Sequence, residues 1–305
     1  MRSTNGTAPF ARDLPQLTTA ELSPPVDPAQ PVAAFTVDVE DWYQSCVDHD
    51  APISDRVVRN TTLVLSLLDD CGVKGTFFVQ GRVAETFPKL AESLAAEGHE
   101  VQAHGYSHRP LFSLDRKRLR DELERARKTV EDACGLPVTA FRAQGFSILR
   151  NNLCALDLLA EVGFTIDSSI FPMRTRRYGI PGWELSPHYV ALGDGAALLE
   201  VPVAIWEISG VRIPIAGGGY FRIWPQRLLQ TGLRSIVAAR RPPVIYCHPY
   251  EFNREELADF RTDVRFRRRF SQGLGRRSSE RRIRALLATL AFGRLDEVLH
   301  SWRVT

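Results

Sequence analysis

Three short segments hold reactive side chains: Asp38-Val39-Glu40-Asp41, His104-Gly105-Tyr106-Ser107-His108 and Cys247-His248-Pro249. Two imidazoles and one carboxylate are a common donor set for a divalent ion, zinc among them, that keeps positions open for water or substrate. On a helix, His104 and His108 would share a face, but Gly105 and Pro110 argue for a loop leaving a strand. Three acids crowded at the end of an apolar run repel one another unless a cation or an arginine neutralises them. One of them can instead cap the following segment. In extended backbone Asp38 and Glu40 point to the same side, so one can bind a metal while the other moves a proton. His248 closes the apolar run Val244-Ile245-Tyr246-Cys247, where a packed core histidine and a catalytic one are both open readings. Arg142 can pair with Asp38 and keep it ionised. Asp167-Ser168-Ser169 can orient a catalytic residue or cap a turn, and Asp167 is a candidate carboxylate partner for His248.

The elements that must position these residues alternate along the chain. Apolar runs predict strands over 32–38, 73–79, 100–104, 138–142, 164–170 and 244–248. Helical periodicity and stop signals predict helices over 56–71, 83–97, 113–134 with Ser113 as cap, 152–162, 228–239 and 285–292. Strand–helix alternation argues a parallel sheet wound with helices. Without a Gly-x-Gly-x-x-Gly turn after the first strand, a barrel is favoured over a dinucleotide-binding sheet. The reactive residues end strands, which is where an α/β barrel builds its active face. Residues 1–31, with six prolines and no apolar periodicity, read as a disordered tail, and 32–305 as one barrel domain with a basic C-terminal segment.

The chain has 305 residues, 44% hydrophobic and 25% charged, which excludes wholesale disorder. No apolar run approaches the ~18 residues of a membrane span. Residues 1–9 lack the apolar core of a secretory signal, so a cytoplasmic location is expected. Five cysteines without a Cys-x-x-Cys pair speak against a disulfide scaffold or a zinc ribbon. Residues 261–284 hold ten arginines against Asp263 and Glu280. That is the charge of a polyanion-binding strip or of a solvated, ion-paired face, and no nucleic-acid motif accompanies it.

Taken in order, the chain resembles the polysaccharide deacetylases, carbohydrate esterase family four with its nodulation-factor deacetylase homology domain. More narrowly it resembles the exosortase-associated exopolysaccharide deacetylase branch. The segments that carry the resemblance are Thr36-Val-Asp-Val-Glu-Asp-Trp-Tyr43, Gly75-Thr-Phe-Phe-Val79, Ala103-His-Gly-Tyr-Ser-His-Arg109, Phe141-Arg-Ala-Gln-Gly-Phe-Ser147, Phe164-Thr-Ile-Asp-Ser-Ser-Ile-Phe-Pro172, Gly217-Gly-Gly-Tyr-Phe-Arg222 and Tyr246-Cys-His-Pro-Tyr-Glu251. The resemblance implies a distorted (β/α) barrel of about seven strand–helix units and a hydrolase that removes N-acetyl groups from amino sugars with one divalent metal. It implies Asp38 as general base and His104 and His108 as metal ligands. Glu40, through an Asp-x-Asp variant of the first motif, is favoured over Asp41 as the third ligand. Arg142 holds the base, His248 is the general acid, and the Gly145 amide is a candidate oxyanion donor. The chain departs from the family's Arg-Ala-Pro with Arg142-Ala143-Gln144. Two rival readings are a cyclic-amide hydrolase of the allantoinase type and a catalytically silent barrel that binds glycans or polyanions.

Overall fold

The computed structural model describes residues 15–27, 29–193, 195–253, 255–258, 260 and 264–305. Its strands are β1 (Leu17–Thr19), β2 (Ala33–Val39), β3 (Thr76–Val79), β4 (Glu100–Ala103), β5 (Ala140–Phe141), β6 (Ile166–Asp167), β7 (His188–Ala191), β8 (Ala197–Glu200), β9 (Ile205–Ile208), β10 (Val211–Pro214), β11 (Val244–Cys247) and β12 (Phe292–Gly293). The helices are α1 (Trp42–Cys46), α2 (Arg56–Asp70), α3 (Gly81–Thr86), α4 (Pro88–Ala96), α5 (Arg116–Cys134), α6 (Cys154–Val162), α7 (Gly219–Ile223), α8 (Gln226–Ala238), α9 (Phe266–Gly273), α10 (Ser279–Leu287) and α11 (Leu295–Ser301).

Strands β11, β2, β3, β4, β5, β6 and β8 lie side by side in that order, and all pair in parallel. The ring closes through irregular backbone rather than a full ladder. The Ala204 amide donates to the Val244 carbonyl (2.8 Å), the Tyr246 amide donates to Ala216 (2.7 Å), and Gly217 bridges Tyr246. A side chain at Gly217 would overlap the Tyr246 carbonyl, so glycine is what allows this approach. The seven-stranded distorted barrel follows from the sequence: β2 is apolar throughout except Thr36 and Asp38, and all seven of its residues are buried, as a parallel strand covered on both faces must be. Phe35, Phe77 and Phe141 of the strands share one buried apolar cluster with Leu67 of α2, and the alternate positions Ala34, Phe78, Ala140 and Val244 form another.

Several local expectations are corrected. The stretch 1–31 is not a disordered tail throughout. Residues 1–14 lie outside the described residues, but β1 pairs antiparallel with β7, and the Glu21 and Ser23 amides donate to Thr305 and Trp302. The alternating polar residues of 17–19 hide an edge strand that needs only one partner. The helix expected over 83–97 breaks into α3 and α4 at Phe87, because the proline that follows removes a helix donor. Asp115, not Ser113, caps α5, accepting from the Arg118 amide (2.9 Å). The helix expected over 285–292 is shifted: α10 ends at Leu287, Phe292 lies in β12 beside β2, and α11 follows.

Candidate active site

Four of the strand ends deliver the predicted residues to one end of the barrel. Asp38 lies in β2 and Glu40 one residue beyond it, His104 follows β4, Arg142 follows β5, and His248 follows β11. The alternation of β2 puts Asp38 and Glu40 on one side. Their neighbour Asp41 does something else: it caps α1, accepting from the Tyr43 and Gln44 amides at 2.9 and 3.0 Å, and also from the Ser54 hydroxyl and amide. With its lone pairs spent on a helix start, Asp41 is occupied, while Glu40 faces the histidines.

Glu40, His104 and His108 each bring one donor atom into a cluster within 4.8 Å of one another, and all three are buried. Glu40 Oε2 lies 3.5 Å from His104 Nε2 and in close contact with His108 Nε2. His104 Nδ1 is bonded to the Arg142 carbonyl (2.9 Å), which fixes that nitrogen as the donor and leaves Nε2 with a lone pair toward Glu40. His108 carries φ +64°, a conformation rare outside glycine, and among the described residues its Nδ1 has no hydrogen-bond partner. Three convergent donors, one with a fixed tautomer and one a buried imidazole short of partners, form a set that fits a divalent cation. Burial works against the charge on Glu40, but His108, His104 and His248 outweigh it and hold its carboxyl well below the usual range.

Beside this cluster, Arg142 is fully buried and spends its guanidinium on four acceptors. It meets Asp38 Oδ1 (2.9 Å), Thr36 Oγ1 (2.6 Å), the Ser168 carbonyl (3.2 Å) and Ser168 Oγ (3.0 Å). A buried, charge-assisted Asp–Arg hydrogen bond of this kind fixes the carboxylate in direction.

His248 stacks on Tyr250 at 4.9 Å, and its Nδ1 is bonded to Glu251 Oε1 (2.7 Å), so Nε2 faces inward, 3.9 Å from Glu40 Oε1. Burial would strip its proton, but the hydrogen bond to Glu251 and the charges of Glu40, Glu251 and Asp38 win and raise it to about 9. The expected partner Asp167 is not that carboxylate. Asp167 sits behind Arg142, where it accepts from the Ser169 hydroxyl and shares a hydrogen bond with Glu200. Burial raises Asp167 to about 6, and burial together with the neighbouring Asp167 raises Glu200 well above its usual value. Gly145, with φ +58°, is exposed three residues beyond Arg142.

Sequence reasoning missed the residues that hold the histidine loop. Glu122 of α5 accepts from the Tyr106 and Ser107 amides at 2.8 and 2.7 Å. Its signal was an acid on the apolar face that carries Leu119, Leu123, Ala126 and Val130. Gln144 donates to the Arg109 carbonyl (2.5 Å) and packs against Gly105, where a side chain would collide with it. The departure from proline thus ties the third motif to the second. Glu251, three residues past His248, was visible only as the end of a motif.

Comparison with known proteins agrees with this arrangement. Residues 28–165 match the family profile "Polysaccharide deacetylase", and residues 168–300 match a domain of unknown function, DUF3473. Over 181 residues the chain is 27% identical to the peptidoglycan deacetylase of Helicobacter pylori, covering 55% of this chain and 56% of that one. Over 107 residues it is 29% identical to the chitooligosaccharide deacetylase of a Bradyrhizobium strain, covering 34% and 49%. The chain thus spans about half the length of these curated relatives. Among solved structures, a Mycobacterium smegmatis protein described as a polysaccharide deacetylase superposes over 94% of this chain and 95% of that one, with TM-score 0.59 and 23% identity. PuuE allantoinase superposes over 92% and 93% with TM-score 0.58 and 14% identity, a likeness of fold alone. The ordered motifs and the profile match place residues 28–165 of this chain in the polysaccharide deacetylase family, with the barrel completed by the adjoining domain of unknown function.

Proposed function

We propose that this chain is a metal-dependent hydrolase that removes N-acetyl groups from amino sugars of a bacterial poly- or oligosaccharide. The observation that carries the reading is the convergence of three devices at one barrel end: the Glu40–His104–His108 cluster, the Asp38–Arg142 pair and the His248–Glu251 pair. The names of the relatives, deacetylases of peptidoglycan and chitooligosaccharide, support the same chemistry.

Glu40, His104 and His108 would hold one divalent ion, and two imidazoles with one carboxylate suit Zn²⁺. Such an ion supplies Lewis-acid polarisation of an acyl oxygen and makes water more acidic. Asp38, held in place by Arg142, accepts a proton from the attacking water as the water oxygen bonds to the acetyl carbon. The Gly145 amide is the proposed donor to the oxyanion that results. His248, protonated through Glu251, gives its Nε2 proton to the sugar nitrogen as the C–N bond breaks, because an amine leaves poorly until it is protonated. The products are acetate and a free amine. An allantoinase-type activity draws on fold likeness alone, and a silent binding barrel would have no need of His248, Asp38 and the Glu40 cluster gathered at one end.

The test is metal analysis of the purified protein combined with acetate release from a panel of N-acetylated oligosaccharides. About one divalent ion per chain, lost in His104→Ala, and acetate release that falls on chelation and returns with metal are expected. Full acetate release by metal-free protein would overturn the reading.

A further inference from the structure

The basic segment after the last barrel strand serves two purposes at once. Part of it is internal. Arg276 donates to the Tyr250 carbonyl (2.5 Å), Arg282 donates to Phe221 and Trp224, and Arg284 pairs with Asp70 (2.6 Å). Another part faces outward, and it is not only charged. On α9, Phe266 and Phe270 stand one helical turn apart and stack on each other at 6.2 Å, yet they are 71% and 63% exposed. Leu274 continues the same side at 50% exposure. Ile223, at the end of α7, is 63% exposed, and its neighbour Arg222 ties that helix end to the end of α9 by donating to the Gln272 and Leu274 carbonyls. Arg265, Arg267, Arg277 and Arg281 of the same basic segment are exposed as well.

Phenylalanines that project so far into water from an arginine-rich segment need a partner that is apolar beneath an anionic surface. A nucleic acid or an acidic glycan would take the arginines but offer nothing to Leu274 and Ile223. A second copy of the chain would take the apolar side chains but set one arginine-rich segment against another across a two-fold axis. An anionic bilayer takes both, with the rings among the acyl chains and the guanidinium groups at the headgroups.

We propose that α9 and the adjoining end of α7 form a docking surface for an anionic lipid bilayer. The surface sits beside the candidate active site: Arg276, just past α9, holds Tyr250, and Tyr250 stacks on His248. Resting on the deacetylase reading, this places the catalytic mouth next to the membrane plane and points to glycans held at a lipid surface as the substrate class.

The test is flotation of the full chain with vesicles, read without substrate so that it does not depend on the chemistry. Vesicles of phosphatidylcholine are compared with vesicles containing about one-third phosphatidylglycerol, because each arginine near an anionic surface strengthens binding about fivefold. The full chain should float with the anionic vesicles and not with the neutral ones. Phe266→Ser/Phe270→Ser and Arg265→Glu/Arg267→Glu should each weaken that binding about tenfold or more. Both variants should keep wild-type thermal melting and acetate release from a soluble oligosaccharide. No flotation of the wild type at low salt would overturn the proposal, whatever the variants do. So would a phenylalanine variant that floats like the wild type, or a concentration-dependent dimer lost in that variant while vesicles go unbound. Single-stranded DNA bound equally by wild type and phenylalanine variant, with no vesicle binding, would assign the segment to polyanions instead.

Discussion

Burial alone would leave His248 neutral; the carboxylates of Glu251, Glu40 and Asp38 together hold its proton up to about 9. A general acid must carry that proton into the transition state, so activity should fall on the alkaline side as His248 loses it. Glu251→Gln keeps the shape of the partner and removes its charge. The His248 pKa then drops, and the alkaline limb of kcat/KM should move to lower pH while the acid limb stays. A cation bound beside Glu40 acts in the same direction as burial, so the comparison is made at matched metal content. A pH–rate profile of the two proteins checks this, and superimposable alkaline limbs would mean that Glu251 has no hold on the proton. Much of this scale was legible in the chain. Asp38, Glu40, His104, Arg142 and His248 announce themselves because a charged or imidazole side chain at the end of an apolar strand needs a reason to be there. The partner of His248 was not legible. Asp167 and Glu251 are both acids near motif ends, and only packing shows that Asp167 is turned toward Ser169 and Glu200 behind Arg142.

Between elements, a second histidine shows how the fold depends on pH away from the site. His99 lies between α4 and β4, stacks edge-on against Phe77 at 4.9 Å, and accepts from the Gly75 amide at Nδ1 (3.1 Å). Burial, followed by the nearby charge of Lys74, pushes it down from 6.5 to about 4. The unfolded chain binds a proton at this residue between those values and the folded chain does not. Stability from His99 is therefore complete above pH 6.5 and lost as pH falls toward 4. His99→Asn retains an acceptor for Gly75 and removes the titration. Urea midpoints measured across that range should fall less steeply with acid for the variant than for the wild type, and parallel curves would exclude His99 as a cause. At this scale the long elements were readable, since α2, α5, α6 and α8 carry strong apolar stripes and clear stops. Short ones were not. β1 is a three-residue edge strand, β12 a two-residue pairing and β7 a short strand between β1 and β8, and each depends on a distant partner rather than on its own pattern.

Across the whole molecule, the two family profiles meet at residues 165–168, yet the structure has no seam there. β6 pairs with β5 on one side and β8 on the other, Arg142 reaches Ser168, and β11 lies against β2. Residues 28–165 alone would expose the open edges of β2 and β5 and leave Arg142 and Asp38 without their surroundings. A fragment of residues 28–165 should therefore show no cooperative thermal transition, while the full chain melts in one. Two separate transitions in the full chain would contradict the single barrel. The absence of a composition break after residue 31 already pointed to one unit; that the chain upstream of 31 also joins it, through β1, could not be read from a proline-rich stretch. The central claim joins all three scales: one barrel brings Asp38 to a metal-ready cluster so that it can take a proton from water. Acetate release from an N-acetylated oligosaccharide by wild type and Asp38→Asn, at equal measured metal content, tests it most directly. The account predicts that the variant folds, binds the metal and loses activity on the order of 100-fold or more. Equal acetate release from the two proteins would contradict it.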